Sequence, residues 1–408
     1  MEIRPILSTL LRHKTAAALI VLEIAFSCAI VCNALFLITE RIENVSRPSG
    51  IAEQQLLQVR LSGIGPADNA DARTREDLAA LRAVPGVAGV TLVNQLPFYN
   101  NSSNSGLTLT PDQERATLNA AQYMAYDGML DTLGIRLSAG RDFLPGEYVD
   151  GSVMEQATDY SALSSPAIIS AAVAEKMFPG GDAVGRTVYL GPIPLTVVGV
   201  AETLTRPNGV NGGNMSYSFV LPIRPNYNNG GFYMLRVDDP ARRAEVLKAA
   251  VAALEQVDPN RLVLDQRSYS EIRERFFRSD REMIGLLLVV CVALLVVTAL
   301  GIVGLASFWV QQRSKQIGIR RALGATRSQI LRYFQTENFL LATIGIVLGM
   351  VLAYAINLAL MERYELARLP MLYLPAGAVA LWLLGQLAVL GPARRAAAVP
   401  PAVATRSA

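Results

Sequence analysis

A basic, glycine-punctuated stretch between two apolar runs holds the residues best suited to bind a charged partner. Residues 316–333 read QIGIRRALGATRSQILRY and contain no acid. The stretch carries four arginines, Arg320, Arg321, Arg327 and Arg332. A guanidinium group pairs with phosphate or carboxylate oxygens, often through two parallel hydrogen bonds. At a membrane edge these arginines are expected to face lipid phosphates or acidic side chains of a partner.

The same stretch has the composition of a helix, a tight corner and a second helix. We expect the helix of the preceding apolar run to continue through residues 311–323 and to stop at Gly324, where a positive φ is needed. Thr326 as N-cap and Gln329 three residues later predict a capping box for the next helix. The apolar side chains expected to seat the corner against lipid or a partner are Ile317, Ile319, Leu323, Ile330 and Leu331.

The chain has few residues suited to catalysis. Its only histidine is His13, which excludes Ser–His and Cys–His catalysis and most zinc sites from the hydrophilic middle of the chain. Carboxylate-only catalysis stays open, although no paired motif is evident. Cys28, Cys32 and Cys291 all lie in apolar runs, so the middle has no disulfide framework. Cys28 and Cys32 share a helix face and are interpreted as packing residues. We expect no catalytic residue and no metal site.

The lysines exclude a nucleotide-binding loop within this sequence. A Walker A motif needs Gly-Lys followed by Ser or Thr. None of the four lysines, Lys14, Lys176, Lys248 and Lys315, follows a glycine. We therefore expect the chain to bind no cofactor of its own, and any chemical energy to come from a partner chain or an ion gradient.

Composition places part of the chain in a membrane and part in water. Of the 408 residues, 51% are hydrophobic and 17% charged. Four apolar runs are long enough to span a bilayer: residues 16–38, 284–310, 339–361 and 371–391. The first run is longer than the core of a typical signal peptide and contains Glu23, so we expect it to be retained as a span.

The distribution of Lys and Arg predicts the orientation of these spans. Basic residues dominate the N-terminal segment 1–15, the segment 311–338 and the tail 392–408, whereas the loop 362–370 is balanced. Both termini and the segment 311–338 are therefore expected inside, and the short loop and residues 39–283 outside. The net charge of +3 gives no reason to expect nucleic acid as a partner.

Two features within the spans each allow two interpretations. An ionised carboxylate is costly in mid-membrane, so Glu23 either contacts a partner or cavity, or is a protonated or hydrogen-bonded packing residue. Gly345 and Gly349 have the GxxxG spacing that permits close helix contact. That contact lies either between chains or within one chain.

The outside segment has the mixed pattern of an α+β domain. Residues 56–63 alternate like a strand, and residues 194–204 read as a buried strand. Stretches rich in Asn, Gly and Ser, at 99–114, 206–219 and 224–232, are either a docking surface or solvated connections.

Residues 268–283 contain neither Gly nor Pro and run directly into the second apolar run. They predict a stalk, carrying Ile272, Phe276 and Phe277, in one continuous helix from residue 270 to 310. Such a helix would be roughly 60 Å long. Residues 38–46, which follow the first run, are expected to pair with the stalk.

Several motifs together resemble one known family. The segment SKQIGIRRALGATRSQI is similar to the signature of the FtsX-like and MacB-like permeases of ABC transporters, in their four-span form. LRAVPGVAGVT, LGIRLSAGRDF, AVAEKMFPGGDAVGRTVYL and VVGVAETL resemble the MacB-type periplasmic core. The tail GPARRAAAVPPAVATR resembles the closing segment of the family. The resemblance covers nearly the whole chain, in order.

The resemblance implies a bacterial inner-membrane permease with its large domain in the periplasm. Two copies, identical or paralogous, would dimerise, and stand-alone ABC ATPases holding ATP and Mg²⁺ would dock beneath. ATP-driven closure would then pass through the spans to expel or hand over a substrate, with a periplasmic membrane-fusion protein as a further partner. The residues implied in ATPase coupling are Gln316, Ile317, Gly318, Arg320, Arg321, Leu323, Gly324, Ala325, Thr326 and Arg327.

Two departures from the family pattern are evident. Gln316 stands where Glu is common, which alters any charge contact of that position. The tail lacks the usual acidic form, as in a divergent copy that works beside a typical paralogue.

The competing hypotheses are a membrane-anchored receptor or scaffold without energy coupling, and a membrane-tethered enzyme. The sequence does not name a substrate; peptides, antibiotics, lipids and lipoproteins remain open.

Overall fold

The computed structural model divides into two compact units, a helical unit formed by residues 1–46 and 279–408 and an α/β unit formed by residues 47–278. The residues that the structure describes are 14–63, 69–156, 164–208, 214–228, 230–364 and 370–398. Most of the N-terminal segment, including His13, most of the short loop and the end of the tail lie outside them, as do residues 209–213.

Along the chain the elements are α1 (Lys14–Ser46), β1 (Leu56–Gly63), α2 (Ala70–Arg82), β2 (Val87–Val93), β3 (Asn104–Thr108), β4 (Leu118–Met124), α3 (Met129–Leu133), β5 (Leu137–Gly140), β6 (Val149–Asp150), α4 (Gly151–Gln156), β7 (Ser165–Ser170), α5 (Ala171–Met177), β8 (Thr187–Leu190), β9 (Ile193–Ala201), β10 (Ser218–Leu221), β11 (Ile223–Arg224), β12 (Phe232–Val237), α6 (Arg243–Val257), β13 (Arg261–Ser268), α7 (Tyr269–Phe276), α8 (Arg278–Gln312), α9 (Ser314–Ala322), α10 (Arg327–Tyr364) and α11 (Tyr373–Ala398).

Four helices of the described chain, α1, α8, α10 and α11, are long and apolar enough to cross a membrane. Three of them contain a predicted apolar run completely. The fourth, α11, begins two residues inside its run, after a turn in which Tyr373 N donates to Pro370 O at 3.2 Å. The predicted fold class, four spans with a large mixed domain between the first and second, is therefore confirmed.

Glycine allows α1 and α10 to pack closely. A Cβ added to Gly345 would lie 2.8 Å from Ile24 Cβ, and one added to Gly349 would lie 2.5 Å from Cys28 Cβ. The Asn33 side chain also donates to the Ala353 carbonyl at 3.1 Å. The GxxxG spacing thus serves contact within the chain. Cys28 and Cys32 are fully buried free cysteines, as expected of packing residues.

The α1–α8 contact includes Glu23. Ser27 and Thr298 share a hydrogen bond of 2.7 Å. One turn away, a Cβ on Gly301 would lie 2.5 Å from Glu23 Oε2, so the carboxylate packs directly on the α8 backbone. This position agrees with the packing interpretation of Glu23, and any contact of Glu23 in a complex stays a prediction.

The α/β unit contains two large sheets. The smaller has the strand order β13-β1-β12-β2, all antiparallel, with α2 and α6 covering one face. The larger has the order β5-β9-β7-β10-β4-β3-β8, with β8 also paired to β9. Side chains from both sheets form a shared core that includes Leu56, Tyr123 and Phe232. Period-two alternation explains this arrangement, since each strand sends successive side chains to opposite faces.

The predicted continuous stalk helix is wrong. The helix ends at Phe276, Phe277 is not helical, and α8 begins at Arg278. Phe277 is 3% exposed and its ring lies 4.9 Å from that of Phe98, while Ile272 is also buried in the α/β core. The helix is interrupted where these side chains and Phe276 pack in the α/β unit, although the segment contains neither Gly nor Pro.

The predicted pairing of residues 38–46 with the stalk segment 268–283 is confirmed at one contact, within the helical unit. Arg41 of α1 forms an ion pair with Asp280 of α8. Both side chains are partly exposed, so the ion pair contributes little to stability and mainly to the alignment of α1 with α8.

Candidate functional site

The candidate site is the corner between α9 and α10, which contains every residue implied in coupling. Five of them, Gln316, Ile317, Gly318, Arg320 and Arg321, lie on α9. Arg327 is the first residue of α10. The connection between the helices contains Leu323, Gly324, Ala325 and Thr326.

The corner has the predicted cap chemistry. Gly324 has φ +99°, and its N–H donates to the Arg321 carbonyl at 3.1 Å, while Ala325 N donates to the Arg320 carbonyl at 3.0 Å. Thr326 N donates to Gln329 Oε1 at 2.9 Å, and Gln329 N donates to Thr326 Oγ1 at 3.3 Å. Both helix ends are therefore closed by hydrogen bonds, which fixes the shape of the turn.

The prediction that the second span continues as one helix into α9 is wrong. The helix α8 ends at Gln312, Arg313 has φ −102° and ψ 10°, and α9 begins at Ser314. The Arg313 guanidinium lies 5.3 Å from the Trp309 ring centre and donates to both carboxylate oxygens of Glu337, at 3.1 and 3.0 Å. We attribute the interruption to this pairing, which joins the start of α9 to α10.

Sequence reasoning missed the role of Glu337. It is 1% exposed, and the many bases of the segment 311–338 outnumber its single negative charge. Its position two residues before the apolar run 339–361 was the available signal, because an ionisable group there needs a partner.

The apolar residues of the corner divide into two groups. Ile317 and Ile330 are buried with Phe334, Ala393 and Ala396, so α11 occupies that side. Leu331 packs partly against the same cluster. In contrast, Ile319 is 53% exposed and Leu323 is 83% exposed. Three of the five residues predicted to contact lipid or a partner therefore pack against the chain itself, whereas Ile319 and Leu323 remain on the surface.

A small cleft of about 170 Å³ separates α9 from the start of α10. Gln316, Arg320, Gln329 and Tyr333 line it, and the Arg320 guanidinium lies 5.3 Å from the centre of the Tyr333 ring. The surface therefore offers an exposed leucine beside a polar cleft that contains arginine. Such a surface fits a protein partner with an apolar pocket and acidic side chains.

Two family models match the chain. Residues 17–253 match the MacB-like periplasmic core domain, which is more than half of the sequence, and residues 288–401 match the FtsX-like permease C-terminal domain. The chain belongs to the FtsX-like permeases with a MacB-like periplasmic core. This confirms the resemblance, and with it the assignment as a permease component of the ABC transporter class with a periplasmic-type domain.

Relatives of this permease are larger proteins. It is 32% identical to a macrolide export ATP-binding/permease protein MacB of Chromobacterium violaceum over 45% of the chain and 28% of the relative. It is 26% identical to MacB of Acinetobacter baylyi over 80% of the chain and 47% of the relative. It is also 28% identical to the pyoverdine export ATP-binding/permease protein PvdT of Pseudomonas syringae, over 64% and 40% respectively. The chain thus spans less than half the length of the relatives it matches.

Proposed function

We propose that this permease is the transmembrane subunit of an ABC exporter and that a partner ATPase docks on the corner between α9 and α10. The observation that carries the proposal is Leu323, an 83% exposed leucine beside the capped Gly324 turn. A large apolar side chain exposed on a basic corner of fixed shape offers apolar area that a partner's pocket can bury, and burial of that area would stabilise the complex.

Transmission follows from how the corner is attached. The Arg313–Glu337 pair joins α9 to α10, and Ile317 and Ile330 join both helices to α11. A force on the corner would therefore reach three helices together rather than bend a loop. These 408 residues contain no Gly-Lys dipeptide, and in the proposal the ATP and Mg²⁺ are held by the partner ATPase.

The proposal includes the orientation and assembly expected from the sequence. Both termini and the corner would face the cytoplasm, and the α/β unit would face the periplasm. A second permease copy, identical or paralogous, would complete the transporter, and a periplasmic membrane-fusion protein would be a further partner. The relatives are named for export of macrolides and pyoverdine; for this chain a peptide, antibiotic, lipid or lipoprotein is proposed as cargo.

The test uses Leu323→Asp with Leu372→Asp as matched control. Leu372 is 80% exposed but lies just before α11, on the proposed opposite side of the membrane. We expect Leu323→Asp to weaken co-purification of the ATPase encoded beside the gene, and permease-dependent ATP turnover, by at least about tenfold.

The control variant should retain both properties. The docking site is wrong if Leu323→Asp matches the wild type, and the permease–ATPase pairing is wrong if the wild-type chain neither binds that ATPase nor alters its turnover.

A further inference from the structure

Six strands of the larger sheet close into a small barrel. The pairings run β9-β7-β10-β4-β3-β8, and β8 pairs back to β9. Along β4, Leu118 and Ala120 belong to the cluster inside this ring, whereas Ala121 and Tyr123 face the smaller sheet. Alternation therefore places Gln122 and Met124 on the inner face.

One end of the barrel is filled and the other is open. Val173 and Met177 of α5 are buried in the inner cluster and fill the first end. At the second end the register sets Leu221 beside Met124 and Leu195 beside Ser165. These ends of four strands surround a cleft of about 580 Å³ that also reaches Ile193 and Gln122.

The size and lining of the cleft are those of a small-molecule site. Pockets for drug-sized ligands have volumes of about 300–1,000 Å³, are mostly apolar with a few polar groups, and occur in the mouths of β-barrels. Met124, Leu195 and Leu221 form the apolar floor of this cleft. Asn101 and Asn226, from two of the Asn-rich stretches, also line it. The stretches interpreted as a docking surface or as connections thus contribute residues to a cavity.

The charge of the lining selects against ions. Among the described lining residues the single charged side chain is Glu147. Arg141 donates to both of its carboxylate oxygens, at 2.6 and 2.8 Å, and these hydrogen bonds lower the pKa of Glu147. Because this carboxylate is already paired, the cleft presents no uncompensated charge to a ligand.

One buried amide supplies a hydrogen-bond donor. Gln122 is 9% exposed, and its Oε1 accepts a hydrogen bond from Ser105 Oγ at 2.6 Å. Its Nε2 has no hydrogen-bond partner in the part of the chain that the structure describes. By contrast, Asn94 beside it donates through Nδ2 to the Gln122 carbonyl and accepts through Oδ1 from Met124 N. Because Gln122 lines the cleft, its Nε2 can donate there to a ligand oxygen or to water.

We propose that the open end of this barrel binds an uncharged, largely apolar small molecule with a carbonyl or ether oxygen that accepts a hydrogen bond from Gln122 Nε2. The apolar body of the ligand contacts Met124, Leu195 and Leu221. This site lies wholly within the α/β unit and does not depend on ATPase docking.

The test is a titration of the full-length chain in lipid nanodiscs with Nile red, an uncharged dye with a ring carbonyl. Empty nanodiscs at the same lipid concentration give the background. We expect the wild type to show a saturable component of about one dye per chain. Ile193→Trp and Met124→Trp, at two half-buried lining positions, place a bulky ring in the cleft and should each weaken binding at least about tenfold.

Two variants complete the design. Leu264→Trp, at a 53% exposed position of β13, is the matched control and should bind like the wild type. Gln122→Leu should weaken binding roughly three- to tenfold, the effect of one lost hydrogen bond. Melting temperatures identify any variant that fails to fold.

Three results would overturn the proposal. The first is a wild type without a saturable component above empty nanodiscs. The second is binding by folded Ile193→Trp and Met124→Trp that equals binding by Leu264→Trp. Unchanged binding by Gln122→Leu would remove the assigned hydrogen bond.

Discussion

Two buried arginine–carboxylate pairs join elements that are distant in the sequence. In the α/β unit, Arg261 of β13 donates to both oxygens of Asp77 on α2, at 2.5 and 2.7 Å, across 184 positions. Tyr233 donates to the same carboxylate. In the helical unit, Arg313 and Glu337 form the second buried ion pair, which joins the start of α9 to α10. Removal of one partner from such a pair leaves a buried charge without compensation, which destabilises strongly.

At Asp77 this effect is directly testable. Asp77→Asn keeps the shape but leaves the buried Arg261 guanidinium with only the Asp258 carboxylate, 3.8 Å from its Nε, so we expect the α/β unit to lose about 3 kcal/mol of stability, the lower end of the usual cost. Glu76→Gln is the control, because Glu76 is 58% exposed and its pair with Arg73 lies on the surface. Hydrogen-exchange mass spectrometry of peptides from residues 47–278 measures the change. Equal protection in the two variants would contradict the assigned role of Asp77.

At the scale of secondary-structure elements, glycine determines where two helices can approach closely. The helices α1 and α10 meet at Gly345 and Gly349, where a Cβ would lie under 3 Å from Ile24 or Cys28. A Cβ on Gly304 of α8 would meet no atom within 4 Å. The same residue type therefore has different consequences at the two places, because only one of them lies where helices touch.

Gly349→Leu and Gly304→Leu form a matched pair. The first should force α1 away from α10 and reduce stability by about 1–3 kcal/mol, the usual effect of overpacking. The second adds a side chain on a surface without neighbours and should leave the melting temperature within about 2 °C of the wild type. Thermal unfolding in detergent, followed by size-exclusion chromatography, compares them. A similar loss in both variants would show that helix contact is not the cause.

At the scale of the molecule, the chain combines a helical unit with an α/β unit inserted after its first helix. The proposed orientation places the corner between α9 and α10 inside and the α/β unit outside. Cys28, Cys32 and Cys291 are buried, at 0%, 0% and 7% exposure, so they give little background in thiol labelling.

Introduced cysteines can test this orientation. Leu264→Cys in the α/β unit should react with a membrane-impermeant maleimide in intact spheroplasts, whereas Leu323→Cys should react only after lysis. Both side chains are exposed, so accessibility within the protein is matched. Labelling of Leu323→Cys before lysis, at the rate seen for Leu264→Cys, would reverse the proposed topology.

The sequence by itself determined the four spans, the inserted domain and the corner chemistry of Gly324, Thr326 and Gln329. Each of these depends on local properties: a run of apolar residues, a residue that tolerates positive φ, or a cap three residues from its partner. The family signature was equally local. These features need no knowledge of which distant residues meet.

Tertiary structure alone decided where helices are interrupted and which side chains remain exposed. The interruptions at Phe277 and Arg313 accompany contacts with Phe98 and Glu337, and neither contact has a periodicity in the sequence. Likewise, Ile317 is buried by α11 while Leu323 is exposed. The barrel and its open end arise from strand pairs far apart in the chain. The interruptions, the exposed side chains and the barrel all depend on burial against residues that are distant in the sequence. The local sequence pattern does not encode which distant residues these are.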